Sequence, residues 1–180
     1  EISWDFKYNQ LLNKEYYSTS LENTFNNLRK HWFDITKKML LLEEKSNNIF
    51  IKSYKLEEDL NPEVPLNEIT LTCNPYYRYG KNIDPVIREK RFCADTIKEF
   101  ISYSVGCMFG RYSLDEPGLI ISKQGENLED FLKRIPKPTF EPDDDNVIPI
   151  LNLDWFEDDI TARFSKFLRI TFGEKDFEKN

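Results

Sequence analysis

Residues 20–42, SLENTFNNLRKHWFDITKKMLLL, contain the most regular pattern of the sequence and decide the predicted fold class. Ser20 is a suitable N-cap for a helix, and apolar residues follow it at alternating spacings of four and three. These residues are Leu21, Phe25, Leu28, Trp32, Ile35, Met39 and Leu42. The spacing is that of the a and d positions of a heptad repeat. It predicts a long amphipathic helix that continues towards Tyr54 and packs along one apolar seam.

A single helix cannot bury this seam, so the pattern also predicts a partner helix. The partner lies either within this chain or in other parts of a longer parent protein, and the sequence leaves both possibilities open. The chain begins with Glu1 rather than Met, which favours its origin in a longer protein. We interpret residues 1–60 as a helical connector that carries the seam.

Residues 61–180 are predicted to form a small, mainly helical subdomain with a few short strands. Pro62 and Pro65 end the helical pattern of the connector. Short strands are predicted at 69–73 and 119–122, and helices at about 95–112, at 126–135 and from 154 to a stop at 173. Gly106 and Gly110, four residues apart, indicate close approach of another backbone or of an aromatic ring. The predicted fold class is therefore mainly α.

Composition and charge narrow the function classes. The net charge is −7, and residues 141–180 carry 5 basic and 11 acidic side chains, so the surface as a whole does not attract phosphates. No apolar run approaches the length of a membrane span. Cys73, Cys93 and Cys107 form no CxxC pair, and His31 is the single histidine. This pattern favours a reducing cytoplasm over a disulfide framework and argues against a zinc site.

Asn74-Pro75-Tyr76-Tyr77 is close to the Asn-Pro-Pro-aromatic motif that binds a flipped adenine in adenine methyltransferases. The second proline is absent, however, and no glycine-rich turn that could hold S-adenosylmethionine precedes the motif. The chain also lacks the alternating strands and helices of a doubly wound sheet. We therefore predict no catalytic residue and no cofactor-binding residue. The acidic run 143–145 lacks the ligand spacing of a calcium loop, so no metal site is predicted either.

The stretch 75–91, PYYRYGKNIDPVIREKR, combines basic and aromatic side chains in a predicted loop. It contains five Arg or Lys residues, two acidic residues and three tyrosines. Such a mixture suits contact with a phosphate backbone or with exposed bases. The candidate DNA contacts are Arg78, Lys81, Arg88, Lys90 and Arg91. The alternative is an exposed loop whose tyrosines pack on the core and whose arginines pair with the acidic tail.

Three segments carry a resemblance to a known family. Residues 103–121, SYSVGCMFGRYSLDEPGLI, and residues 146–178 closely resemble the large adenine-specific DNA methyltransferases of BREX phage-defence systems, the PglX group. Residues 47–71 resemble a connector with the pattern Asn-x-x-aromatic-Gly-Leu, which also occurs in fused restriction–modification methylases. The usual glycine of that connector is Lys55 in this sequence.

The resemblance implies an internal spacer fragment. In that family the cofactor motifs and the active site lie upstream of this region, and target recognition lies largely downstream. The implied function is a non-catalytic spacer that positions the catalytic domain against the recognition domain on double-stranded DNA. S-adenosylmethionine is then the cofactor of the full-length parent enzyme and does not bind this fragment. The alternative is an interaction module that docks another defence-system subunit through its helical seam.

Overall fold

The computed structural model describes residues 5–150 and 158–174. In this part of the chain five α-helices are joined by turns and by two short 3-10 helices, η1 (Gln10–Leu12) and η2 (Leu66–Glu68). The α-helices are α1 (Leu21–Tyr54), α2 (Pro75–Tyr79), α3 (Pro85–Met108), α4 (Leu128–Arg134) and α5 (Ile160–Phe172). The prediction of a mainly α fold with one long helix is confirmed. Among the described helices, none combines the length and apolar character needed to cross a membrane.

The chain divides into two compact units, and both divisions fall inside helices. The central unit is Asn26–Asp95, and the terminal unit combines Glu1–Phe25 with Thr96–Asn180. Most of α1 and the first half of α3 belong to the central unit. The remainder of α3, with α4 and α5, belongs to the terminal unit.

In the central unit, α1 packs against the first half of α3. The rings of Trp32 and Phe92 meet edge to face, with centroids 5.4 Å apart. Arg29 donates two hydrogen bonds of 2.7 and 2.8 Å to the carboxylate of Glu89. Leu28 and Phe92 are fully buried there. Apolar burial and a bidentate ion pair thus fix this part of α1 on its neighbour.

The heptad seam of α1 is buried only at its beginning. Phe25 and Leu28 are 9% and 0% exposed. The later seam residues are exposed by 37–53%: Ile35, Met39 and Leu42. The buried face continues instead through Thr36 and Ile51. A straight helix has 3.6 residues per turn, so its contact face drifts away from a strict 3.5-residue repeat.

The segment that follows α1 folds back along the later part of the helix. The Asn47 side chain donates a hydrogen bond to the carbonyl of Pro62 (3.2 Å), and the Val64 amide donates one to the Glu44 carboxylate (3.4 Å). Glu44, Asn47 and Ile51 lie on one side of α1, and this side differs from the one that carries the exposed seam residues. The returning chain therefore covers one face of α1 and leaves the seam open.

The expected strands at 69–73 and 119–122 are not present in the described residues. Asn74 prevents the first, because its side chain donates hydrogen bonds to the carbonyls of Leu66 (2.7 Å) and Ile69 (2.9 Å) and winds the segment into turns. The second segment is short and bonds locally, since Ile120 donates its amide hydrogen to the carbonyl of Arg111 at 2.9 Å. An apolar β-branched run does not become a strand without a neighbouring strand to complete its hydrogen bonds.

The basic stretch 75–91 is largely helical, whereas the sequence predicts a loop. Asn74 caps α2 by accepting a hydrogen bond from the Tyr76 amide at 3.1 Å. Asp84 caps α3 in the same way, by accepting from Val86 at 2.9 Å and from Ile87 at 3.1 Å. Both caps precede a proline at the first helical position, which is a favourable start for a helix. The Asn-Pro and Asp-Pro pairs are thus the sequence signals that identify these helices.

Phe100 lies at the centre of the terminal unit and is fully buried. Its ring centroid lies 5.7–6.4 Å from those of three α5 residues, Phe164, Phe167 and Phe172. The Asp159 side chain caps α5 by accepting from the Ala162 amide at 2.7 Å. Phe167 and Leu168 of this helix are buried, and the helix ends before Gly173 as predicted, while the predicted start at 154 lies outside the described residues.

Gly106 permits the close approach of an aromatic ring, as the sequence predicts. A Cβ atom on Gly106 would lie 2.5 Å from Cδ2 of Tyr112. Tyr112 in turn stacks on Tyr103, with centroids 5.1 Å apart. Gly110 has a φ of +68° and lies beyond the end of α3, so the prediction that α3 continues to Tyr112 is wrong. The helix ends there because the amide of Arg111 bonds the carbonyl of Gly106 at 2.8 Å, which reverses the chain.

Candidate nucleic-acid interface

Asn74 is fully buried, and its amide group bonds only to the surrounding backbone. Its nitrogen donates to the Leu66 and Ile69 carbonyls, and its oxygen accepts from the Tyr76 amide. In a base-binding site this oxygen would face the target amino group. Here the amide nitrogen and the amide oxygen of Asn74 both bond to the backbone and stabilise the turn before α2. The Asn-Pro-Tyr-Tyr segment is therefore a helix start built into the core of the central unit.

The predicted DNA-contact residues fall into two groups in the structure. Four of them have exposed side chains, and we call these four the basic surface: Arg78, Lys81, Lys90 and Arg91. The fifth, Arg88, is only 2% exposed. All five lie within the central unit.

Arg88 is an internal residue that links α3 to the preceding turn. Its guanidinium carbon lies 3.9 Å from the centroid of the Tyr76 ring, a close cation–π contact. Its Nη2 donates hydrogen bonds to the carbonyls of Lys81 (3.2 Å) and Ile83 (2.6 Å). Its Nε and Nη1 are buried without a hydrogen-bond partner in the described part of the chain. In this conformation the Arg88 guanidinium orders the turn and offers no surface to a phosphate.

Tyr79 supports two cations of the basic surface. The guanidinium carbons of Arg78 and Arg91 lie 5.6 and 5.5 Å from its ring centroid. The Tyr79 hydroxyl donates to a carboxylate oxygen of Asp95 at 2.7 Å, and a nitrogen of Arg78 lies 3.7 Å from the same oxygen. Asp95 thus orients the tyrosine and offsets part of the charge of Arg78.

Three cations of the basic surface have no carboxylate partner among the residues that the structure describes: Lys81, Lys90 and Arg91. Tyr77, close by on α2, is 46% exposed. Exposed cations beside aromatic rings can bind phosphate oxygens by charge and can stack on bases. The local geometry therefore supports binding of phosphate groups and stacking on bases.

Cys73 lies beside Asn74 and is half-buried. Burial raises the pKa of its thiol above the usual value, although Thr36 and Arg29 act in the opposite direction. Its thiolate form is therefore scarce at neutral pH, which does not favour a role as a nucleophile. Cys73 forms no disulfide with a described residue.

Asp143 has a structural role that the sequence does not reveal. It is 1% exposed and forms an ion pair with Arg163 of α5. Its carboxylate also accepts a hydrogen bond from the Val147 amide at 3.0 Å. Its neighbours Asp144 and Asp145 are exposed, and the described residues contain no cluster suited to a metal ion. Nothing in the run of three aspartates distinguishes the buried one, because its partner is 20 residues away.

The chain is similar over its whole length to two adenine-specific methyltransferases. It is 34% identical over 183 aligned residues to BrxX of Escherichia coli O9:H4 (strain HS). It is 32% identical over 185 aligned residues to PglX of Lacticaseibacillus casei (strain Zhang). It covers only 15% and 14% of these proteins, so it spans about one seventh of the length of the curated relatives it matches. No protein-family model matches the chain.

Proposed function

This chain belongs to the BrxX and PglX group of adenine-specific methyltransferases, and from that premise we propose that it is a non-catalytic helical spacer of such an enzyme. In this proposal the full-length parent methylates adenine at N6 in DNA and uses S-adenosylmethionine. The spacer places the catalytic domain and the recognition domain on the same duplex, and it contacts the DNA backbone through the basic surface.

The observation that carries the proposal is the contrast between Asn74 and the basic surface. The residue that resembles a catalytic asparagine is buried with its amide fully bonded. Four cations nearby in sequence are exposed, and two of them rest on the Tyr79 ring. Catalysis needs an accessible base-binding group, whereas backbone contact needs accessible positive charge. The basic surface of the central unit offers accessible positive charge.

The mode of contact follows from the kind of residues present. Lysine and arginine bind phosphates through charge and release the counterions condensed on DNA, so their contribution does not depend on base sequence. Tyr79 limits the motion of Arg78 and Arg91 and so reduces the entropy lost on binding. We therefore propose that the spacer strengthens binding to all sequences alike and leaves the choice of the target sequence to other regions.

The test removes the three unpaired cations from the full-length protein. Lys81→Ala, Lys90→Ala and Arg91→Ala together should weaken duplex binding equally for target and non-target sequences. The slope of log affinity against log salt should shrink by roughly 0.9 for each phosphate contact that is lost. A triple substitution of other exposed lysines serves as the matched control, with Lys30, Lys37 and Lys123 each replaced by Ala.

The outcome separates three roles for the basic surface. Backbone contact is supported if duplex binding weakens equally for all sequences and the salt slope becomes smaller, while the control variant shows neither change. A slope that matches the control would refute DNA contact by this surface. A change in the methylated sequence would instead assign these residues to direct base recognition.

A second candidate function is supported by the exposed part of the α1 seam. Ile35, Met39 and Leu42 form a partly exposed apolar face, which suits an interaction module that docks another defence-system subunit. Duplex binding of the chain measured at several salt concentrations distinguishes the two functions. A steep salt dependence supports the DNA spacer, whereas partner capture without DNA affinity supports the interaction module.

A further inference from the structure

An exposed apolar stripe runs along the later part of α1. It contains four side chains that are 37–56% exposed: Ile35, Met39, Leu42 and Ile49. Their spacings of four, three and seven keep the heptad register of the buried part of the seam. They therefore lie on one side of the helix over two heptads, and we call this stripe the open seam.

A row of lysines borders the open seam on one side. Lys38, Lys45 and Lys52 are spaced by seven residues and occupy the g positions of the same heptads. All three are exposed, and none forms an ion pair among the residues that the structure describes. The other border, at the e positions, consists of Thr36, Glu43 and Phe50. The open seam thus has one distinctly basic edge, which favours an acidic partner.

A second copy of this chain does not match that edge. In a parallel pair each g position faces the e position five residues later on the partner helix. Lys38 would then meet Glu43, but Lys45 would meet Phe50. In an antiparallel pair the g positions face one another, and lysine would meet lysine. Self-association therefore leaves most of the lysine charge unneutralised.

The small size of the open seam indicates where the partner helix comes from. Four apolar side chains over two heptads form a small contact, whereas stable association of separate proteins usually buries about 1,200–2,000 Å². A helix on the same polypeptide avoids this requirement, because tethering gives it an effective concentration on the order of millimolar. The relatives are about seven times longer than the chain, so such proteins have ample sequence to supply a helix.

We infer that the open seam binds an acidic amphipathic helix from another region of the same polypeptide. The partner places apolar residues on Ile35, Met39, Leu42 and Ile49. It places Asp or Glu side chains at seven-residue intervals opposite Lys38, Lys45 and Lys52. The inference does not depend on DNA contact by the basic surface, which lies on α2 and α3 and in the turn between them.

Zero-length cross-linking of the full-length protein tests the inference. A carbodiimide joins a lysine to a carboxylate only when the two are in direct contact, and mass spectrometry identifies the linked pairs. Lys38, Lys45 and Lys52 should link to acidic residues of one segment outside residues 1–180, spaced by about seven residues. Mixing protein labelled with ¹⁵N with unlabelled protein shows whether a link joins one polypeptide or two.

Two variants make the test specific to the open seam. Leu42→Gln places a polar amide in the stripe without adding a carboxylate beside the lysines, and it should reduce the cross-links of the flanking lysines at least severalfold. Leu41→Gln is the matched control, because Leu41 is 65% exposed and lies off the stripe, and it should leave the links unchanged. Circular dichroism checks that both variants remain helical. Links between mixed isotopes, links to another protein, scattered acidic partners or equal loss in both variants would each overturn the inference.

Discussion

Lys55 adopts a backbone conformation that ordinary residues avoid. Its φ is +57°, in the left-handed region, and it ends α1 so that the Leu56 amide can bond the Ile51 carbonyl at 2.9 Å. This chain reversal is most favourable with glycine, which is the usual residue of the connector that residues 47–71 resemble. A side chain at Lys55 therefore costs stability, and it forms no ion pair with the residues that the structure describes.

Replacing Lys55 by Gly should stabilise the chain. Removal of Cβ relieves a strain of about 1–2 kcal/mol, and the added flexibility of the unfolded chain offsets part of this gain. The net increase in the free energy of unfolding should be roughly 0.5–1 kcal/mol, measured by urea denaturation. Lys55→Ala is the control, because it removes the charged side chain but keeps Cβ. A similar gain in both variants would show that the lysine charge, and not the backbone, carries the cost.

Asp143 should be the one residue of the acidic run that stability requires. Asp143→Ala leaves Arg163 without its carboxylate and removes one of the two acceptors of the Val147 amide, which keeps Asp145. Removal of one partner from a buried pair typically costs about 3–5 kcal/mol. Since Arg163 keeps 16% of its side chain exposed, we expect a loss of about 2–3 kcal/mol here. Thermal and urea unfolding both measure this loss.

Asp144→Ala is the matched control for Asp143→Ala, because Asp144 is exposed. It should change the free energy of unfolding by less than about 0.5 kcal/mol. Equal effects of the two substitutions would contradict the assignment of Asp143 to a buried ion pair.

At the level of elements, the two parts of the α1 seam differ in their environment. Leu28 is 0% exposed, whereas Leu42 is 53% exposed on the same heptad seam. Leu28→Ala and Leu42→Ala remove the same atoms at equivalent positions of the repeat. Any difference between their effects on stability therefore reports how tightly each side chain is packed. The pair of variants therefore tests the fold of the central unit.

Leu28→Ala should destabilise the chain by about 2–4 kcal/mol, because it removes part of a fully buried side chain and leaves a cavity. Leu42→Ala should change the stability of the 180-residue chain by less than about 0.5 kcal/mol. Urea unfolding followed by circular dichroism measures both. A large effect of Leu42→Ala would show that the open seam is packed in this chain, and a small effect of Leu28→Ala would contradict the burial of Leu28.

At the scale of the whole molecule, the distribution of charge confines the proposed DNA contact to one surface. The net charge of −7 repels a duplex, while the basic surface concentrates exposed positive charge within the central unit. High salt screens both effects, so affinities for DNA need to be compared over a range of salt concentrations. This is why the slope, and not a single affinity, tests the proposed function.

The 180-residue chain by itself should bind no S-adenosylmethionine. The described residues contain no parallel sheet to position the cofactor, and Asn74 cannot reach a base because its amide is engaged in the core. Isothermal titration calorimetry with the chain should show no binding at micromolar cofactor. The full-length protein serves as the positive control. Stoichiometric binding by the chain would contradict the spacer proposal.

Much of the fold could be predicted from local sequence. The regular apolar spacing of residues 21–42 predicts α1, and Gly106 and Gly173 mark a close ring contact and a helix end as the structure has them. These features depend on residues within a few turns of one another, where periodicity and backbone preference decide the outcome. The loop predicted at 75–91 was wrong, but local sequence contains the information to correct it. The two prolines and the capping residues before them specify the starts of two helices.

Only the tertiary structure decided which of the candidate side chains are accessible. Leu28 and Leu42 occupy equivalent positions in the heptad, yet one is fully buried and the other is 53% exposed. Arg88 and Arg91 are three residues apart, yet one is buried on Tyr76 and the other is exposed. The sequence by itself determined where helices form, because helix formation is set by neighbouring residues. Burial depends on which distant segment packs against a given face, and no local pattern contains that information.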